Sequence, residues 1–188
     1  HIGLPLRKEI LFASNKTSTV AYSTKLNVNN QYTLAILGGS QGAKIFGDFI
    51  PQSFTLLPKE LQQKLIVFHQ CRAELLNKTN EAWQKTLVKE VIIRPFFTNI
   101  AEVLKQSDLI VTRSGAATVA EINCIGKAAV YIPFKQAILN HQKHNAISMV
   151  NKNCAVMLTE EDLNFNSFND IIIDLLTNNN KRNKMAVL

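Results

Sequence analysis

Tyr32–Phe54 reads YTLAILGGSQGAKIFGDFIPQSF, and this stretch decides the fold. Tyr32–Leu37 is a short, largely apolar run of the kind that forms a strand covered on both faces. Three glycines within five residues (Gly38, Gly39, Gly42) follow at once, so the chain turns tightly there. From Ala43 to Phe54 the apolar residues recur at helical spacing: Phe46, Phe49, Ile50, Phe54. Strand, glycine turn and helix make the opening of a βαβ unit. Outward from it the pattern repeats. Further strands are expected at Leu65–His69, Glu90–Ile93, Asp108–Thr112, Ala128–Ile132 and Ala155–Leu158, none with polar alternation. Helical spacing fills 72–86, 99–106, 116–125, 140–151 and 167–176. With right-handed crossovers this is an α/β fold, a Rossmann-like doubly wound parallel sheet. The domain is expected over 31–180, after a hinge segment and polar linker over 1–30. Residues 181–188 are expected to be a frayed or truncated C-terminus.

The 188 residues are 46% hydrophobic and 19% charged. That suits one sizeable core, whereas two full α/β domains need more chain. No apolar run approaches the roughly 18 residues of a membrane span. The first residues, HIGLPLRKEI, lack both the pattern of a secretory leader and an initiator methionine. The expectation is a chain that starts partway through a longer protein. Lys+Arg 21 against Asp+Glu 14 gives a net +7, which favours an anionic partner. The lysines are scattered singly, so no nucleic-acid arm is expected. Cys71, Cys124 and Cys154 are too widely spaced for a CxxC pair and read as free thiols.

In a doubly wound sheet ligands bind beyond the carboxyl ends of the strands, so the loops there carry the chemistry. Gly38–Ala43 lets backbone approach a phosphate at a helix N-terminus, with the Ser40 hydroxyl as an extra donor. It matches neither GxGxxG nor GxxxxGK[ST]. A tight turn with nothing bound fits the same residues. After the fourth strand, RSGAATVAE (Arg113–Glu121) offers Ser114 as a cap and small residues at Gly115, Ala116 and Ala117. Open amides and the Thr118 hydroxyl there suit a diphosphate. Glu121, one turn further, suits a ribose diol. A capped, Ala-rich packing helix with a surface glutamate is the other reading. In NHQKHNA (Asn140–Ala146), His141 and Gln142 suit sugar hydroxyls. His141 and His144 at i, i+3 resemble a metal pair, but no third ligand accompanies them and no metal is expected. Phe96 and Phe97, in the loop after the third strand, are core residues or the cover of a flat base. Arg7 in GLPLR is a cation beside a fixed turn, or simply a surface charge.

Taken in order, GLPLR, GGSQGA, RSGAATVAE and NHQKHNA resemble the GNPVR, GGSQGA, RSGA-x-T-x-x-E and HQ-x-x-NA motifs of the MurG-type glycosyltransferases. The likeness runs from about Gly3 to Leu158. It implies the donor-binding, C-terminal half of a GT-B fold. The implied activity is an inverting, metal-independent transfer of N-acetylglucosamine from UDP-GlcNAc to undecaprenyl-pyrophosphoryl-MurNAc-pentapeptide (lipid I to lipid II) in peptidoglycan synthesis.

By resemblance Ala116, Ala117, Thr118, Val119, Ala120 and Glu121 hold the diphosphate and ribose, with Glu121 on the ribose. Ser40 and Arg7 contact the phosphate region, beside Gly39, Ser114 and Gly115. Phe97 offers its backbone to the uracil and Phe96 covers the ring. Gln142 holds the sugar hydroxyls, with His141 and Asn145 nearby. No cofactor is implied and no catalytic base falls in this chain. The lipid-linked acceptor would reach the reaction through a missing N-terminal domain, and the enzyme would sit peripherally on the cytoplasmic face of the plasma membrane. Two departures stand out: Leu4 replaces the family's usual asparagine, and the acidic residues often found before HQ-x-x-NA are absent. The alternatives are a stand-alone UDP-sugar-binding subunit of a split GlcNAc transferase, or a non-catalytic nucleotide-sugar-binding remnant.

Overall fold

A computed structural model describes residues 6–15, 31–39 and 43–186. The strands are β1 (Tyr32–Leu37), β2 (Leu65–Gln70), β3 (Glu90–Arg94), β4 (Leu109–Thr112), β5 (Ala129–Tyr131) and β6 (Ala155–Met157). They pair in parallel in the order β3-β2-β1-β4-β5-β6. The order reverses between β1 and β4, the topological switch point of a doubly wound sheet.

Within the strands successive side chains point to opposite faces, and every face is covered. Leu34 and Ile36 of β1 pack with Val67, Leu109, Val111 and Val130 against α2 (Lys44–Phe54), and against Trp83 of α4 (Leu76–Trp83) and Phe168 of α8 (Phe165–Thr177). Ala35 and Leu37 pack on the other side with Ile110, Ala129 and Tyr131. They meet α1 (Lys8–Asn15), α5 (Ile100–Gln106), α6 (Ala116–Ile125) and α7 (His141–Asn151). Phe46, Phe54 and Phe168 are fully buried on the first face, each contributing roughly 1.5–3 kcal/mol relative to exposure. A short helix α3 (Lys59–Gln62) precedes β2.

Four departures from the sequence reading have local causes. The 72–86 helix is shorter: a 3₁₀ turn at Ala73–Leu75 leads into α4, and no side chain caps that start. Ser14 belongs to α1, whose Ile10 is fully buried against the second face, so part of the expected hinge and linker is packed on the domain. Residues 1–5 and 16–30 of that segment lie outside the described residues. The expected strand at 128–132 shrinks to three residues.

The fourth correction concerns the C-terminus. Instead of fraying, Asn179–Met185 forms helix α9, with Arg182 and Met185 buried. Arg182 donates to the carbonyls of Leu175 and Leu176, unsatisfied groups at the end of α8. Its guanidinium also lies 6.0 Å over the Tyr32 ring and 3.9 Å from Asp108. Gly126 closes the same contact, since its φ of +70° and its approach to the Ala186 carbonyl, which an added Cβ would meet at 3.1 Å, demand glycine.

One buried group sets an acid limit on the fold. The His69 ring has 0% exposure and its Nδ1 accepts from Trp83 Nε1–H at 2.9 Å. Its proton therefore sits on Nε2, which finds no partner. Burial pushes its pKa down to about 3 from 6.5. Below pH 6.5 the unfolded chain takes up a proton that the native state refuses, so stability falls as pH drops from 6.5 towards 3. The expected loss is about 2 kcal/mol at pH 5. Urea unfolding of wild type and His69→Gln at pH 7 and pH 5 checks this: the variant's pH dependence should flatten.

Candidate functional site

At the carboxyl ends of β1 and β4 the chain opens a cleft of about 970 Å³. Helices α2 and α6 leave β1 and β4 towards opposite faces, so their first turns diverge and the crevice forms between them. The glycine turn lies on one side. Gly39 adopts φ +75° and lines the cleft, as do Gly38 and Ala43. Ser40 and Gly42 lie outside the described residues.

The start of α6 is the opposite wall. Its N-cap is Gly115, in extended conformation, with no side-chain cap. Ser114, expected to cap, donates its hydroxyl to the Gln142 carbonyl at 2.8 Å instead. The first intrahelical bond runs from the Val119 N–H to the Gly115 carbonyl at 3.0 Å. The amides of Ala116, Ala117 and Thr118 thus have no partner four residues back, and all three residues line the cleft. Aligned peptide dipoles place roughly half a positive charge there, which suits an anion. Four cations and three carboxylates line the described part of the cleft, a near balance. Attraction for a diphosphate therefore rests on the helix end more than on surplus side-chain charge.

Glu121 follows on the same helix. Side chains tilt towards a helix N-terminus, so its carboxylate reaches back along the first turn. It is nearly buried and paired with Arg7: Nε to Oε1 at 2.8 Å and Nη2 to Oε2 at 3.4 Å. The Arg7 guanidinium, expected at the phosphate region, lines the same cleft and rests on this glutamate. Val119 packs into the core on the second face, and Val119 and Ala120 are not among the residues lining the cleft.

The loop after β5 closes the far end. Phe134 N–H donates to Gln142 Oε1 at 3.0 Å, which commits that oxygen and leaves the amide NH2 as a donor. His141 is exposed at the cleft, its Nδ1 2.7 Å from the Ile138 carbonyl. Asn145 braces the wall from behind, donating to the Ser114 carbonyl at 3.0 Å. Among the described residues no three His, Cys, Asp or Glu side chains gather into a metal site. At the β3 end, the Phe97 ring is buried edge-on against Phe68, with centroids 5.9 Å apart. Only its backbone remains for a ligand. Phe96 beside it is 60% exposed, a free ring at the cleft.

Motif reading did not single out Arg113 and Glu160. Arg113 is buried, paired with Glu160 at 2.5 Å, and donates to the carbonyls of Ile132 and Pro133 at 3.0 and 3.1 Å. Its guanidinium stacks over Phe46 and Phe134, 5.0 and 5.3 Å from their ring centroids. Burial pulls its pKa down and Glu160 opposes that shift. Arg113 was visible in the RSGA run. Its partner, 47 positions on, carried no local signal.

The family model described as the glycosyltransferase family 28 C-terminal domain matches residues 33–187. The chain is similar to the UDP-N-acetylglucosamine--N-acetylmuramyl-(pentapeptide) pyrophosphoryl-undecaprenol N-acetylglucosamine transferases of Granulibacter bethesdensis and Trichlorobacter lovleyi. Identity to the first is 39% over 129 residues, covering 69% of this chain and 33% of that protein. Identity to the second is 31% over 185 residues, covering 94% and 48%. The crystal structure of Acinetobacter baumannii MurG superposes with a TM-score of 0.76 at 28% identity, over 85% of this chain and 45% of that one. WaaG, a glycosyltransferase of lipopolysaccharide biosynthesis, matches at a TM-score of 0.68 over 98% of this chain and 49% of its own. At 13% identity that likeness concerns the fold alone. The chain spans a third to a half of the curated relatives quoted.

Proposed function

Since the chain belongs to the family of the glycosyltransferase family 28 C-terminal domain, we propose that it is the UDP-GlcNAc-binding half of a peptidoglycan N-acetylglucosaminyltransferase. The uncapped start of α6, with Glu121 one turn on and the glycine turn opposite, carries this reading. The amides of Ala116–Thr118, with the Ser40 hydroxyl, take the diphosphate, and Glu121 takes the ribose. The Phe97 backbone reads the uracil edge while Phe96 covers the ring. Gln142 and His141 meet the sugar hydroxyls. Charge developing on the departing UDP is stabilised by the helix end, in a transfer that inverts the anomeric centre without metal. The acceptor, lipid-linked MurNAc-pentapeptide, and the base that deprotonates its hydroxyl belong to the half of the enzyme outside this chain. The assembled enzyme works peripherally at the cytoplasmic face of the membrane. Among the described residues no helix is long and apolar enough to cross a bilayer.

Calorimetric titration with UDP-GlcNAc tests this. Wild type should bind, and Glu121→Ala and Gln142→Ala should each weaken binding by roughly 10–100-fold, the loss expected for a hydrogen bond to a charged or desolvated partner. A wild-type chain with no affinity for UDP-GlcNAc would sink the donor-site reading. Transfer to a lipid acceptor by this chain alone would sink the half-enzyme reading.

A further inference from the structure

Resting on the donor-site reading, we propose that Glu160 is a positioning residue for the sugar end of the cleft, acting through Arg113 and Phe134 on the Gln142 amide. Glu160 and Glu161 are the central residues of a turn after β6. The Asp162 N–H closes that turn on the Thr159 carbonyl at 3.2 Å, and the Thr159 hydroxyl donates to the Asp162 carboxylate at 2.5 Å. Two carboxylates thus face the neighbouring loops, and they are unequal. Glu161 meets Lys135 at 2.6 Å with both side chains more than half exposed, an ion pair of little consequence. Glu160 meets Arg113 at 2.5 Å with the two side chains only 19% and 10% exposed.

Arg113 divides its fork between two loops. Nη2 takes Glu160, and Nη1 donates to the Ile132 and Pro133 carbonyls where the chain leaves β5. The guanidinium also stacks on the next residue, Phe134, and on Phe46 of α2. The Phe134 N–H in turn holds Gln142 Oε1 at 3.0 Å, which fixes the amide and leaves its NH2 for a ligand. Without Glu160, Arg113 would be a largely buried cation short of its counter-ion. It lines the cleft and would turn into it, out of the stack. Phe134 would then lose its brace and Gln142 its fixed orientation. No contact in this relay ends on the open amides of α6, so recognition of the sugar should separate from recognition of the diphosphate.

Dissociation constants for UDP and UDP-GlcNAc test this by calorimetry on wild type, Glu160→Ala, Glu160→Gln, Glu161→Ala, Gln142→Ala and the Glu160→Ala/Gln142→Ala double variant. Glu160→Ala should weaken UDP-GlcNAc by roughly 3–10-fold, the worth of one hydrogen bond, and UDP by less than about twofold. In the Gln142→Ala background the same change should cost UDP-GlcNAc nothing more, because it acts only through that amide. Glu160→Gln keeps an acceptor oxygen for Arg113, so it should lose less than Glu160→Ala; it carries the comparison if the alanine variant does not fold. Glu161→Ala should match wild type. Amide exchange gives a readout without ligand. The Phe134 N–H should exchange at least about threefold faster in the Glu160 variant, while that of Ile132, bonded to the Thr112 carbonyl at 2.8 Å, keeps its rate. Equal losses for UDP and UDP-GlcNAc, or a loss that adds to that of Gln142→Ala, would overturn the proposal and leave Glu160 a stabilising partner only. Failure of wild type to bind UDP-GlcNAc is the separate failure of the donor-site reading. The exchange rates still decide the relay in that case: an unchanged Phe134 rate overturns it, and a faster one supports it.

Discussion

Ala117→Asp is expected to abolish UDP binding while leaving the protein at least as stable as wild type. Ala117 is exposed at the second position of α6 and lines the cleft. An acidic side chain in a first helical turn interacts favourably with the dipole, contributing about 0.3–1 kcal/mol to stability. The same carboxylate competes for the open amides and faces the diphosphate as a like charge. A unit pair of charges about 4 Å apart in a partly screened site interacts by about 4 kcal/mol. Affinity should therefore fall by at least about 100-fold. Calorimetry and a thermal melt on one sample test both signs together. Undiminished UDP binding would remove the start of α6 from the phosphate site.

Arg113→Ala is expected to cost about 3–5 kcal/mol of folding stability, because it leaves Glu160 as a largely buried carboxylate without its cation. The substitution also removes two hydrogen bonds to the Ile132 and Pro133 carbonyls and opens space between Phe46 and Phe134. Arg113→Lys should recover only part of the loss, since an ammonium cannot reach carbonyls and carboxylate with a planar fork. Urea denaturation gives the number. A loss under about 1 kcal/mol for Arg113→Ala would place the pair with ordinary surface ion pairs. Because Phe134 N–H also anchors Gln142, the surviving folded fraction should bind UDP-GlcNAc more weakly.

Much of the scaffold could be read from the chain. Strand β1 falls where its apolar run lies, Tyr32–Leu37, and each of the other five strands overlaps its run to within two residues at either end. Parallel strands buried on both faces leave continuous apolar runs, and such runs need no knowledge of the third dimension. The C-terminal helix was missed because Asn179–Met185 has little apolar periodicity; Arg182, a polar side chain, docks it. Ser114 was misread as a cap because Ser followed by small residues signals one. The hydroxyl found a better partner in a carbonyl 28 positions away.

The sequence by itself determined the α/β class, the glycine turn after β1 and the small residues at the start of α6. These are local consequences of steric and hydrophobic pattern within a few residues. Only the tertiary structure decided what those groups meet. Arg7 rests on Glu121, Arg113 on Glu160, and Phe134 on Gln142, and these pairs set which carboxylate, ring or amide faces the cleft. Two of the three join elements far apart in the chain, and even Phe134 and Gln142 meet only once the β5–α7 loop has folded back. No periodicity encodes such encounters; the packing of α1 and α6 and the convergence of loops at the carboxyl ends of β4, β5 and β6 create them.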